Sequence, residues 1–497
     1  MRRWLFLPND DRPTTCQFPV LMAPMGDIEL VVPPRALMGR YQQAGDPAAL
    51  VGWAKQNAAG CEGAIVSLEL LSFGGSCASR KPLAGVAEVL PHLELLTWLK
   101  QQGLTILACN MLMRISPYGG TPEESARHAL LHQWAQAVEN ADRQAEVAEL
   151  ERAIPPIFLK EYLDLRERNL RVTLEAIRLV SRDVIEFLLL LQEESLPHGI
   201  HRLELQRIHK WVEANGASSR VRIMPGTDQG SMLLLARAAV AAAGTTPRLR
   251  PVYGREASAN LTPPFEDRPL RETVDLHIEA AGAQRVEQGD DVTLFVNTPV
   301  YRYGDEAEVN AVERATIAPA VTDGSRPLVT QIRASLQSGH PTAVADVAFA
   351  NGADPLFTQH LLRETDWTRL WGYAAWNTAA NTLGIAVAMA ILRQLDGGRH
   401  DQLQQEALLR RMLEDHAYQG RLRSRLNDWC FAHGHSPLYL GDACPAAEAQ
   451  VMTPLRHSAE FLVEVGAGRH GYKLQRFAAR LPWPRTFEVE IDLQLSR

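Results

Sequence analysis

The sequence lacks the devices that would name a chemistry outright. Its six cysteines, Cys16, Cys61, Cys77, Cys109, Cys430 and Cys444, form no CxxC or other metal-ligand spacing. Their scatter fits reduced, mostly buried thiols, and a structural disulfide framework is not expected in a chain of 497 residues. HExxH, GxSxG, the P-loop glycine–lysine pattern and a GxGxxG after a strand are all missing. That excludes a zincin, an α/β-hydrolase, a P-loop nucleotidase and a simple Rossmann dehydrogenase. No metal and no cofactor is expected. No apolar run approaches the ~18 residues of a membrane span. The longest strand-like run, Phe187–Leu191, lies between Glu186 and Gln192-Glu193-Glu194. The N-terminal Trp4-Leu5-Phe6-Leu7 stops at Pro8-Asn9-Asp10-Asp11, too soon for a signal-peptide core. A cytoplasmic protein without a membrane partner is the expectation. There is no basic stripe, and the net charge is −7, so nucleic acid is not an expected partner. Internal repeats and low-complexity segments are absent.

What is present is ordinary soluble-protein composition, 46% apolar and 22% charged residues. The length fits one large α/β domain with an appended piece, or two to three domains. Short apolar runs at 3–7, 28–32, 63–70, 104–109, 184–191, 221–224, 249–253, 292–296, 343–349 and 370–374 read as strands. Most are followed by a polar loop and then a helical stretch, as at 47–60, 83–102, 201–215, 231–243, 270–282 and 327–338. Asp46-Pro47 and Thr121-Pro122-Glu123-Glu124 are helix starts, each a cap residue followed by proline. Such alternation means an α/β fold, a mostly parallel sheet alternating with helices, TIM-like or a distorted barrel. Residues 1–397 form the main domain, with a helical insertion at about 121–181. Residues 398–497 change texture. A charge-rich helical stretch, 401–429, precedes the strictly alternating Thr486–Leu493, which together suggest a C-terminal α+β appendage. In parallel α/β folds the ligand site lies at the carboxyl ends of the strands. The polar clusters of this chain fall at those ends. The last of them, Trp371–Gly384, holds two Trp, one Tyr, two Asn and two Thr in fourteen residues.

The motifs Asn9-Asp10-Asp11-Arg12-Pro13, Phe73-Gly74-Gly75 with Ser79-Arg80, Pro225–Gly230, Glu266-Asp267-Arg268-Pro269, Val296-Asn297-Thr298-Pro299 and Trp376–Gly384 jointly resemble a large bacterial family known only as a domain of unknown function. The resemblance covers nearly the whole chain and implies site positions, not a chemistry. The family pattern usually carries Asp-Asp where this chain has Glu193-Glu194, and often Asp at the place of Glu69. Both longer acids keep the charge and move its reach by one methylene. Acid pairs at strand ends are also similar, at the level of fold alone, to barrel-type glycosidases.

Glu193, Glu194 and Asp228 are the candidate catalytic acids. Glycoside hydrolysis needs one carboxyl held protonated and one ionised. Each also fits a plainer role, as a loop acid or a helix N-cap. Asp10, Asp11, Arg12, Glu69, Arg80, Asn110, Glu266, Asp267, Arg268, Asn297, Trp376, Asn377 and Asn381 are the candidate substrate-binding residues. Asp11 could equally pair with Arg12 or Arg268. Phe73-Gly74-Gly75-Ser76 could be a phosphate-cradling turn beside Arg80 or a bare β-to-α turn. Trp371, Tyr373 and Trp376 could stack on a sugar face or simply be buried. Asn377 and Asn381, one helical turn apart, could face one ligand. The dispersed His198, His277 and His340 read as structural. The reading is an intracellular hydrolase acting on a small sugar-derived substrate, possible as a homo-oligomer. The alternatives are a lyase, racemase or isomerase using Arg80, Arg114 and Arg268 as anion clamps, or a non-catalytic metabolite-binding protein.

Overall fold

Phe187-Leu188-Leu189-Leu190-Leu191-Gln192 buries every side chain, the pattern of a strand covered on both faces. Runs of this kind build the first of the two larger sheets in the computed structural model, which describes residues 1–116, 122–193, 195–196, 198–298 and 325–497. The strands are β1 (Arg2–Leu7), β2 (Ile28–Val31), β3 (Gly63–Ser67), β4 (Thr105–Leu112), β5 (Phe187–Gln192) and β6 (Val221–Pro225). They lie in the order β2-β1-β3-β4-β5-β6. From β1 to β6 the pairing is parallel, with Trp4 opposite Gly63, Ser67 opposite Cys109, and Gln192 opposite Pro225. The ends of these strands therefore share one edge.

The second sheet holds β7 (Arg248–Tyr253), β8 (Gln284–Arg285), β9 (Val292–Asn297), β10 (Thr342–Asp346) and β11 (Gly372–Ala374), in the order β8-β7-β9-β10-β11, again all parallel. Its edge strands have two and three residues, too short to template another chain. The parallel α/β architecture is what the alternation implies. Among the described residues the strands of this alternation lie in two open sheets of six and five strands, beside two two-stranded pairs, and no closed barrel forms. The chain divides into two compact units, residues 1–11, 29–231 and 265–267, and residues 12–28, 232–264 and 268–497. No helix among the described residues is long and apolar enough to cross a membrane.

Several elements differ from the sequence pattern for physical reasons. The apolar run 63–70 is strand only to Ser67; Leu68–Phe73 is a helix closed by Gly74 in the left-handed region. Stretch 83–102 is three consecutive helical pieces, Val86–Val89, a 3-10 turn Leu90–Leu93 that holds Pro91, and the α-helix Glu94–Gln101. Within the helical insertion, helices Pro122–Ala137, Gln144–Ala153 and Pro156–Ser181 are separated at Pro155, where the sequence pattern breaks at Ala153–Pro156, and also near Asn140. The Thr121 cap lies outside the described residues.

The charge-rich stretch after 400 is not a solvated face. Asp401–Arg411 is α-helical, and Met412–Leu422 is wound as a π-helix in which Glu414, Asp415, His416 and Gln419 are buried. The alternating tail becomes a strand only at Glu490–Ser496, antiparallel to Lys473–Arg480. Ahead of it, the carbonyls of Thr486 and Phe487 accept from the Tyr418 hydroxyl and the Gln419 amide, which replaces a ladder there.

Candidate functional site

Because β3 turns at once into a helix, Glu69 sits in that helix's first turn at the carboxyl edge of the first sheet. It is 1% exposed. Its Oε1 accepts from the Asn110 amide and the Met111 N–H, each at 2.6 Å, and its Oε2 accepts from the Ser67 hydroxyl at 2.8 Å. Thr173 holds Asn110 in turn, donating to its Oδ1 at 2.6 Å. Burial dominates these donors and pushes the Glu69 carboxyl up to about 7. Burial and the charge of Glu69 likewise raise the Cys109 thiol.

Ser67 Oγ also lies 3.3 Å from Asn9 Oδ1. One hydroxyl proton serves one acceptor at a time. When Glu69 is ionised, Ser67 donates to it. When Glu69 carries the proton, it donates to Ser67, and Ser67 turns its own proton to Asn9. The Ser67 hydroxyl thus can donate to either Glu69 or Asn9. Among the described residues the buried Asn9 Nδ2 and both polar atoms of the buried Gln192 amide have no hydrogen-bond partner. Unspent amides at strand ends of the same sheet edge fit a ligand rich in hydroxyls.

Glu193 lies between two guanidinium groups. Arg80 Nη1 is 3.3 Å from both of its oxygens, and Arg114 Nη1 is 3.6 Å from Oε1. Arg80 is held indirectly. Arg168, buried on the Pro156–Ser181 helix, donates to the carbonyls of Ser79, Lys81 and Ala84 at 2.5, 2.9 and 3.1 Å, and Asn169 donates to Ser79 at 2.9 Å. The Arg168 guanidinium stacks 4.5 Å above the Phe73 ring. Asp10 accepts from the Ser76 hydroxyl at 2.7 Å. Asp11 has Arg35 at 3.9 Å, and Asp267 has Arg202 at 3.1 Å. Glu266 and Asp228 are buried, Asp228 just before the helix Gly230–Ala243. Glu194 lies outside the described residues.

Gly74 caps the helix Leu68–Phe73, donating to Leu70, and its carbonyl accepts from Gly45 at 2.8 Å. A Cβ there would stand 2.6 Å from the Gly45 carbonyl oxygen.

Asp10, Asp11, Glu69, Arg80, Asn110, Glu193, Asp228, Glu266 and Asp267 all belong to the first unit, whereas Arg12, Arg268, Asn297, Trp376, Asn377 and Asn381 belong to the second. At the carboxyl edge of the second sheet, Asn297 donates to Asp346 Oδ1 at 2.8 Å, and the Asp354 N–H donates to Oδ2 at 2.7 Å. Burial, reinforced by the neighbouring Asp354, pushes Asp346 up to about 7. Asp415 accepts from the Ala375 N–H at 2.7 Å and has Arg411 at 3.2 Å; burial lifts it to about 6. Arg12 lies 3.9 Å from Glu488 and 5.0 Å above the Trp483 ring. Trp376 is 1% exposed, edge-on to Phe487 at 5.8 Å, so its ring is spent on packing. Asn377 and Asn381 do not share a helix face. Thr378 caps the helix Ala379–Asp396, leaving Asn377 outside it with φ of 57°, while the Asn381 amide donates back to Thr378.

Sequence reasoning passed over Ser67, Gln192, Asp346 and Asp415. Asp346 had a signal, an acid inside the apolar run Ala343–Phe349. Asp415 had none, because Glu414-Asp415-His416 looks like any solvated helix face. Among the described residues no group of three or more His, Cys, Asp or Glu is placed to hold a metal ion. A family profile described as a protein of unknown function, DUF4127, matches residues 4–492. No curated protein and no solved structure matches the chain.

Proposed function

The chain belongs to that DUF4127 family, and from this premise we propose that it is an acid–base hydrolase for a small sugar-derived substrate, working at the carboxyl edge of the first sheet. The observation that carries the reading is Glu69. A buried carboxyl pushed up to about 7 holds and releases a proton at neutral pH. At the same sheet edge, the Asn9 Nδ2 and the Gln192 amide, which have no hydrogen-bond partner among the described residues, suit substrate hydroxyls. In this scheme Glu69 protonates the leaving oxygen of the scissile bond. A second carboxylate, Asp228 or Asp10, takes the proton of the attacking water. Glu193 is the weaker general acid, because two guanidinium groups favour its charged form.

The same ion cluster favours a second reading. A substrate carboxylate or phosphate could replace Glu193 between Arg80 and Arg114, which would make the protein a lyase, racemase or isomerase with an anion clamp. A panel of aryl glycosides and small sugar acids separates the two. The hydrolase reading expects turnover of at least one glycoside that Glu69→Gln abolishes. Turnover of sugar acids alone, lost in Arg80→Met, would replace it with the second.

A further inference from the structure

The helices Pro156–Ser181 and Ile200–Ala214, both in the first unit, bound an open groove of about 670 Å³ that the hydrolase reading leaves unused. The volume lies in the range of small-molecule sites, ~300–1,000 Å³. One helix lines it with Arg171, Leu174, Glu175 and Arg178, the other with Arg207, Lys210, Trp211 and Ala214. Each set has the i, i+3, i+4, i+7 spacing of a single helix face. A solvated face ordinarily mixes both signs of charge. Here four cations stand against one acid in the lining, and all four cations are exposed, on a chain whose net charge is −7.

Hydrogen bonds fix where these groups lie. Arg171 and Arg207 donate to the two oxygens of one carboxylate, Glu167, at 2.7 and 2.9 Å, so their guanidinium groups converge from the two helices. Each has five N–H donors and spends one there. About one turn further along both helices, Trp211 Nε1 donates to the Leu174 carbonyl at 3.0 Å, which ties the indole across the groove. The Trp211 side chain is still 40% exposed. Lys210, the residue before it, lines the same groove. A cation cluster and a held, accessible aromatic in one groove suit a ligand with both an anionic group and a flat ring. Guanidinium groups match phosphate oxygens, and an indole stacks on any nucleobase. Arg171, Arg207 and Lys210, less Glu167, leave a net charge of about +2, which a diphosphate offsets better than a single carboxylate does.

We propose that this groove binds a nucleoside diphosphate, with the base on Trp211 and the phosphates at Arg171, Arg207 and Lys210. Titration calorimetry of the full chain with ADP, GDP, adenosine, pyrophosphate and polyglutamate tests it. At least one of the two nucleotides binds about tenfold or more tightly than adenosine and pyrophosphate. Trp211→Ala and Arg207→Gln, both at exposed positions, each weaken that nucleotide about tenfold or more, and of the two only Arg207→Gln weakens pyrophosphate. The inference is overturned if neither nucleotide binds, if pyrophosphate binds as tightly as both, or if Arg207→Gln folds and binds unchanged. Polyglutamate binding as tightly as the nucleotides would overturn it in favour of a dock for acidic protein segments. Should Trp211→Ala fail to fold, Arg207→Gln and Lys210→Gln decide.

Discussion

A carboxyl group that titrates near neutrality while holding three hydrogen bonds is costly to keep, and Glu69 is such a group. Its amide counterpart preserves shape and most of the bonds but carries no transferable proton. Glu69→Gln is therefore expected to lower kcat/KM on any responsive glycoside by about 10²–10⁴, with the melting temperature at pH 7 unchanged or raised. Parallel turnover and calorimetry check both halves; a stable variant with full activity would remove Glu69 from the chemistry. Asn9→Ala should act on binding, raising KM about five- to tenfold with a smaller effect on kcat, since it deletes an Nδ2 donor that has no partner among the described residues. Steady-state kinetics on the same substrate decides it. Of this constellation, Glu69 and Asn110 were visible as polar residues near strand ends. The Ser67 link was not, because a serine in a strand has no distinguishing sequence context until its neighbours in other strands are known.

At the scale of elements, two short pieces of backbone geometry position the site. Gly74 ends the helix that carries Glu69, with φ of 80° and a close approach to Gly45. Gly74→Ala meets both a disfavoured conformation and a clash with the Gly45 backbone, and should destabilise the protein by about 1–3 kcal/mol in a urea titration. Wild-type stability in that variant would show that the approach is relaxed. Arg168 fastens the loop behind Arg80 through three carbonyls. Arg168→Met should expose residues 78–85 to limited proteolysis well before global unfolding; cleavage no faster than in wild type would refute that role. Strands were the most legible elements, because Val, Ile and Leu runs between turns announce them. The short helix at Leu68–Phe73 was not legible: its leucines continue the apolar run that begins in the strand, and nothing local marks where the strand turns into helix at Ser67. The π-wound Met412–Leu422 escaped for a similar reason, since its buried acids carry the same letters as exposed ones.

For the whole molecule, pH couples opposing sets of buried groups. Glu69, Asp346 and Asp415 are raised to about 7, 7 and 6, so the stability they contribute is full at low pH and lost as pH rises through those values. His201, His277 and His416 are lowered by burial to about 4, 4 and 3, so theirs is full above about 6.5 and lost as pH falls through those values. The two sets act with opposite sign between about pH 4 and 7. Single variants shift stability in opposite directions. Relative to wild type, Glu69→Gln should gain stability as pH rises from 5 to 8, by up to about 3 kcal/mol, and His277→Gln should gain as pH falls from 6.5 to 4. Denaturation series across that range measure both slopes; parallel curves for either variant would contradict its assigned shift. Sequence by itself determined the parallel α/β class, the absence of long apolar spans, and the strand ends at which polar residues collect, because periodicity and turn residues act locally. Only tertiary structure decided that the alternating strands form two open sheets, that Arg80 and Arg114 meet at Glu193, and that Glu69 is among the acids held near neutrality. Those outcomes depend on burial and on partners dozens of residues away, and neither is written in local sequence.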